Sequence, residues 1–273
     1  MSNQEVNTLM KYTMLTNETK AHNGVTLYRI QALEDFSDVK AGDKGGWIEK
    51  ESNLSQCGDA WIYDIAIVCG NAKVYGDAMV CGEAMVYGDA EVYGDAVVYG
   101  DARIYGNAEV YGDAVVYDNA IICGKARVCG DARVCGKARV CGDARVCGDA
   151  EVYGDAVVYG DARIYDNAKV CGSATVYDNA IICGKARVCG SATVYDNAII
   201  CGKAMVCGDA RICGDARVCG DTRVYGDAEV YGDAIVYGDA KVYGKAKVAE
   251  SECKKWYDDN KDEVKNEIHF INK

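Results

Sequence analysis

The residues able to do chemistry in this 273-residue chain are unevenly supplied: 16 Cys, 20 Tyr and 42 Asp plus Glu, but only 2 His. His22 and His269 lie near opposite ends of the chain. Between Tyr63 and Tyr243 one position, recurring every sixth residue, is Tyr in 17 cases and Cys in 14. Sorted at intervals of eighteen, the cysteines form short files: Cys171-Cys189-Cys207, Cys183-Cys201-Cys219, Cys123-Cys141 and Cys129-Cys147. Stacked thiols suggest soft-metal or redox chemistry, whereas zinc asks for four convergent ligands. The simpler reading, which we favour, is that Cys and Tyr both suit a half-covered strand position. Without an N-terminal secretory pattern, the thiols are expected to stay reduced, in a cytoplasm. A second file holds Asp77, Asp95, Asp113, Asp131 and Asp149. It suggests cation binding or phosphate mimicry, but Asp also serves turns by accepting backbone N–H groups. We therefore expect no metal site and no cofactor.

These side chains are positioned by a repeat with an unbroken frame. Every sixth residue from Ile62 to Val248 is Val or Ile, 32 positions in all, and Ala precedes each by two except at Thr222. The unit is A-x-V-(Y/C)-G-D. In an extended strand Ala and Val share one side, while x and Tyr/Cys share the other. The Gly position requires a sharp turn at positive φ; Gly is replaced in an Asp-Asn pair at Asp118, Asp166, Asp178 and Asp196. Three strands closing a triangle make an 18-residue coil with a dry Val/Ile/Ala interior. Ten to eleven such coils at about 4.8 Å each form a rod about 50 Å long. The absence of Pro fits strands that donate to a neighbour throughout. The expected fold is all-β, a triangular β-solenoid.

On Val74, Ala78 and Val80 and their equivalents, the pattern resembles the hexapeptide-repeat family, which implies a left-handed β-helix. The Gly lies one residue later than in that family, so a right-handed triangular solenoid of the bactofilin kind stays open. The resemblance implies acyltransferases using a His base, or γ-class carbonic anhydrases holding metal on three His. No His and no insertion occurs between Ala60 and Val248, so neither activity is expected. Residues 27–55 also resemble leaders attached to hexapeptide arrays in phage and prophage genomes.

The non-repeating ends read as caps: residues 1–45 at the N-terminus, residues 46–249 as solenoid, and residues 250–273 as a short C-terminal helix started by Ser251 and carrying Trp256, Val264 and Ile268. Val25 to Ile30 reads as a strand and Gly42 to Gly46 as a turn. Ile48 and Leu54 are expected to continue the Ala register, with Trp47 over the mouth. At the variable x position, Met79, Val97 and Val115 fall in successive coils beside Cys81, Tyr99 and Tyr117. Ile181 and Ile199 do the same beside Cys183 and Cys201. Such apolar strips mark an interaction site, or a surface that residues 1–45 fold over.

Internal copying bears on function. Residues 88–108 and 148–168 agree at 20 of 21 positions but are 60 apart, which is not a multiple of eighteen. The copy must land on another face, which would scramble a site built from fixed positions. The net charge of −12 argues against nucleic acid as a partner, and no apolar run is long enough to span a bilayer. The expectation is a non-enzymatic scaffold that binds a protein partner or itself, with a homo-oligomer possible. The alternatives are sequestration of a ligand or soft metal by the Tyr/Cys stripes, and a degenerate acyltransferase.

Overall fold

The computed structural model describes residues 10–249 together with the short strand His269–Phe270. Its body is a β-solenoid of about eleven turns, each of roughly eighteen residues. Each hexad contributes one short strand, and strands eighteen residues apart pair in parallel, as Met79↔Val97↔Val115 do. Three sheets result. The first face runs from Trp61–Ile62 to Lys241–Val242, the second from Ile67–Val68 to Lys247–Val248, and the third from Lys73–Val74 to Ile235–Val236.

The division of labour within a hexad is the one that alternation dictates. The interior Val/Ile and Ala are fully or almost fully buried from Ala60 to Val248, and the x and Tyr/Cys side chains line the outside. Thr222 replaces an interior Ala and is buried, its hydroxyl donating to the Cys219 carbonyl. The turn glycines from Gly58 to Gly244 have φ between +64° and +76°. Asp118, Asp166, Asp178 and Asp196 occupy the same left-handed region at +55° to +59°. The substitutes pointed to the turn conformation correctly. Asp64, at φ +52°, takes the same turn position, and the carboxylates of Asp64, Asp118, Asp166 and Asp196 accept the N–H of the glycine eighteen residues on, at 2.9 to 3.2 Å.

The N-terminal end is closed by β1 (Tyr12–His22), β2 (Val25–Ala32) and β3 (Lys44–Ile48). β1 and β2 form an antiparallel hairpin about Asn23-Gly24, both at positive φ, as a two-residue primed turn requires. β2 pairs antiparallel with β3, and β3 joins the second face in parallel. Every strand of a coil presents carbonyls toward the preceding coil, so the first coil needs donors that no earlier coil supplies. The cap supplies them face by face. On the first face the Lys11 ammonium donates to the carbonyls of Gly58 and Ala60 at 2.9 and 2.8 Å. On the second, the Trp47 and Glu49 N–H groups reach Ala66 and Val68. On the third, the Asn53 amide donates to Gly70 and Ala72 at 3.1 and 2.8 Å, beside the Ser55 N–H on Val74.

Two local expectations are corrected. Ile48 and Leu54 do not continue the Ala register: they pair with Val68 and Val74, twenty residues on, and so occupy the Val position. Their large side chains fill the slot made for a branched residue, and the two extra residues fall between Leu54 and Ile62. Trp47 does not cover the mouth. It stands at an outward position beside Ile67, with Lys20 and Arg29 over its ring at 4.6 and 5.3 Å. The core at the mouth is continued instead by Tyr12, Ile30 and Val39.

At the other end, His269–Phe270 pairs in parallel with Lys241–Val242, adding a rung to the first face. Trp256, Val264 and Ile268, the residues of the expected capping helix, lie outside the described residues.

Candidate interaction surface and a cleft beside the hairpin

Outward side chains meet partners eighteen residues away, so the surface is a set of files running along the rod. The first expected strip assembles as read from the sequence. Met79, Val97 and Val115 stack in register, and the Tyr99 and Tyr117 rings stack beside them at 5.0 Å. Met79 and Tyr99 are 37% and 38% exposed, while Val97, Val115, Cys81 and Tyr117 are half-buried. Upstream the file begins with Trp61, which is buried against Tyr12 and Phe36 in edge-on contacts at 6.2 and 5.3 Å. Downstream Arg133 ends it. The N-terminal cap therefore covers this strip only at its first rung.

The second strip also assembles. Ile181 stacks on Ile199, with Arg163 before and Arg217 after. The short isoleucines between long arginines leave a trough of about 660 Å³, walled by the neighbouring corner residues Asp161, Asn179, Asn197 and Asp215. The wall is held by hydrogen bonds that the side-chain amides of Asn179 and Asn197 donate to Asn197 and Asp215, at 3.3 and 2.9 Å. Cys183 and Cys201 stand beside the isoleucines, half-buried. The two strips are on different faces and do not merge.

The Tyr/Cys position forms mixed files in which a tyrosine stacks on a tyrosine or faces a thiol. Tyr75, Tyr93 and Tyr111 stack at 4.8 and 4.9 Å. Where Tyr105, Tyr117 and Tyr165 face Cys123, Cys135 and Cys183 of the next coil, hydroxyl and thiol interact, whereas Tyr63 donates to Asp38 at 2.6 Å instead. The Tyr105 and Tyr117 hydroxyls are pushed up to about 12 by Cys123 and Cys135, with burial adding to the effect. Cys129 and Cys147 titrate as a pair: the Cys147 and Tyr111 hydrogens favour a thiolate at Cys129, aided by Arg127 and Arg145, and Cys147 is pushed up in turn. All fifteen cysteines described are free. Among the described residues no three His, Cys, Asp or Glu side chains converge to hold a metal ion.

In the aspartate file at the corner after the third face, the two end members are hydrogen-bonded. Asp77 accepts from the Asp59 N–H at 3.0 Å, and Asp149 accepts from the Asn167 amide at 2.9 Å.

Sequence reasoning missed one concavity. The hairpin turn brings His22, Asn23 and Val25 over the second face, where they line a cleft of about 560 Å³ with Glu49, Cys69, Met85, Tyr87 and Arg103. Glu49 accepts the Gly70 N–H at 2.6 Å, and burial, then Glu49, pushes the Cys69 thiol up. The Asn23-Gly24 pair after a run of alternating residues was the available signal that His22 is carried on a hairpin.

Comparison with known proteins agrees with the solenoid. A family model described as YdcK Beta solenoid repeat matches residues 102–118, 126–142, 144–160 and 210–226. A curated protein of Escherichia coli (strain K12), named "Uncharacterized acetyltransferase YdcK", is 49% identical over 47 residues. That match takes in 17% of this chain and 14% of the relative, so the chain spans only about one-seventh of the relative it matches. No helix among the described residues is long and apolar enough to cross a membrane. The chain is a β-solenoid repeat protein similar to YdcK.

Proposed function

We propose that this protein is a non-enzymatic interaction scaffold that engages a protein partner, or a second copy of itself, through the Met79/Val97/Val115 face. One observation carries the reading. The apolar file starts under the cap at Trp61 and then continues uncovered for three coils before Arg133 ends it. Apolar side chains aligned in register, with stacked Tyr99 and Tyr117 beside them, form the kind of surface that interfaces favour. The Ile181/Ile199 trough is a second, smaller contact on another face. The leader-like residues 27–55 support a phage or prophage origin, and many half-exposed free thiols suit a reducing cytoplasm. The hexapeptide-like frame supports a left-handed coil. The test is Val97→Lys with Val115→Lys, two outward changes that leave the interior intact. Loss of oligomer on sizing, or loss of the captured partner, is expected. Unchanged profiles would refute the reading.

The relative's name and the hairpin cleft favour a second reading, acyl transfer. His22 stands there with Glu49, Cys69 and Arg103. Acetyl-CoA that raises the melting temperature of the wild type but not of His22→Ala would favour it over the scaffold.

A further inference from the structure

The stacked cysteines remain unexplained by either reading, and their spacing has a definite chemical meaning. Outward side chains at this position repeat at the coil spacing, which the stacked tyrosine rings put at 4.8 to 5.0 Å in six pairs and at 5.5 Å between Tyr225 and Tyr243. That separation does not suit a disulfide, whose Cβ atoms are about 3.8 Å apart. It does suit a metal held linearly between two sulfurs: even at the zinc–thiolate length of about 2.3 Å two bonds span about 4.6 Å, a little less than the coil spacing, and rotation about the Cα–Cβ bonds brings the sulfurs that much closer. A flat ladder offers no third or fourth ligand, as the lack of any convergent triad among the described residues confirms. Two-coordinate geometry is what remains, and soft thiolates select the monovalent soft ions such as Cu(I).

The charges beside the thiols point the same way. The outward residue two before each Cys is Arg or Lys in eight of the fourteen repeats, as with Arg127 and Arg145 beside Cys129 and Cys147. The four Glu that occupy this outward position, Glu91, Glu109, Glu151 and Glu229, all precede Tyr and none precedes Cys. A bis-thiolate holding one Cu(I) carries a net negative charge, which flanking cations stabilise and a flanking carboxylate would oppose.

We infer that cysteines stacked in adjacent coils form linear two-coordinate sites for a monovalent soft metal ion, one site per Cys–Cys gap. Each isolated site forms by loss of two thiol protons to solvent and formation of two sulfur–metal bonds, with no change in oxidation state. In the triads Cys171-Cys189-Cys207 and Cys183-Cys201-Cys219 the middle sulfur bridges two ions. Those triads supply two gaps each, and Cys123-Cys141 and Cys129-Cys147 supply one each, six in all. Cys81, Cys135 and Cys213 have no Cys eighteen residues away and form no site. The inference is independent of the scaffold reading.

The test is anaerobic titration of the reduced full chain with Cu(I) in competition with bathocuproine disulfonate. About six ions per chain are expected to resist the chelator. Replacing the two central cysteines, Cys189→Ser with Cys201→Ser, should lower this to about two. Replacing three isolated ones, Cys81→Ser with Cys135→Ser and Cys213→Ser, should leave it at about six. If the serine variants fold poorly, Cys189→Tyr with Cys201→Tyr uses the residue that the repeat itself places there. Capacity that follows the number of cysteines removed rather than their stacking, or no retention against the chelator, would overturn the inference.

Discussion

Replacing one corner glycine separates two reasons for its presence. Gly142 has φ of +72°, and a Cβ there would lie 3.0 Å from the Gly160 nitrogen and 3.1 Å from its oxygen. Gly232 has φ of +64° in the last described coil, and a Cβ there would meet nothing among the described residues within 4 Å. Gly232→Ala therefore exposes the backbone penalty alone, about 1–2 kcal/mol for an L-residue in the left-handed region. Gly142→Ala adds the collision with the next coil, which must be relieved by separating two hydrogen-bonded turns, at about 1–3 kcal/mol more. The third variant is Gly142→Asp. Asp tolerates this conformation, and its carboxylate can accept the Gly160 N–H as Asp118 accepts that of Gly136. A net hydrogen bond of about 0.5–1.5 kcal/mol should return much of the loss. Solenoids unfold with nearest-neighbour coupling, so urea melts by circular dichroism should be paired with hydrogen exchange at the coil following residue 142. The expected order of damage is Gly142→Ala, then Gly232→Ala, with Gly142→Asp milder than Gly142→Ala. Equal effects of the two alanine variants, or an aspartate as harmful as alanine at 142, would refute the inter-coil argument.

Other expectations follow from the cap and the core. Lys11→Met should strip the carbonyls of Gly58 and Ala60 of their donor and cost about 1–3 kcal/mol for each left unsatisfied, read as a lower melting temperature. Burial pushes Lys11 down to about 8, against partial opposition from Asp59 and Cys57. Its folded value is below the unfolded one, so between about pH 8 and the ordinary lysine value the unfolded chain binds more protons. The stability of the wild type relative to Lys11→Met should then rise with pH through that window, and a flat or falling difference would contradict the assignment. Thr222→Ala restores the residue used at the other interior positions and should change stability by less than about 1 kcal/mol, because the lost hydroxyl bond is matched by a lost burial cost. Gly24→Ala should loosen the hairpin, since φ there is +84°, and hydrogen exchange across β1 and β2 should speed up while the coils stay protected.

Nearly all of the coil was readable in the sequence because one period sets both chemistry and geometry. The Asp-Asn substitutes marked the positive-φ turn, the six-residue frame placed every interior side chain, and spacing by eighteen placed Met79 on Val97 and Ile181 on Ile199. The cap was less readable, since its residues work through single long-range contacts that leave no period. Nothing in the neighbourhood of Lys11 announces that its ammonium will finish the first face, or that Asn53 will do so for the third. Register failed at Ile48 and Leu54 for a related reason. Counting sixes back from Ala60 could not see two extra residues, whereas side-chain size, aliphatic at both positions, would have assigned them to the Val slot. The hairpin cleft was missed because His22 is remote in sequence from Cys69, Met85 and Arg103.

The copied blocks show why the outward chemistry of this molecule is decided between coils and not within a hexad. Residues 88–108 and 148–168 are nearly identical, yet Val97 lies on the first face and its counterpart Val157 on the second. Val97 stands between Met79 and Val115, whereas Val157 stands between Arg139 and Thr175. The same local sequence thus contributes to an apolar file in one place and interrupts a polar one in the other. The core is indifferent to this shift, because every face presents the same Ala and Val to the interior. A chain that lengthens by hexads can keep its fold while reshuffling its surface. Any property that depends on face must then be fixed by short files of neighbours eighteen residues apart, or by the non-repeating cap that gives the rod its only fixed point of reference among the described residues. The Met79/Val97/Val115 file satisfies both conditions, for it begins beneath the cap at Trp61 and ends where the first arginine of that face takes its place.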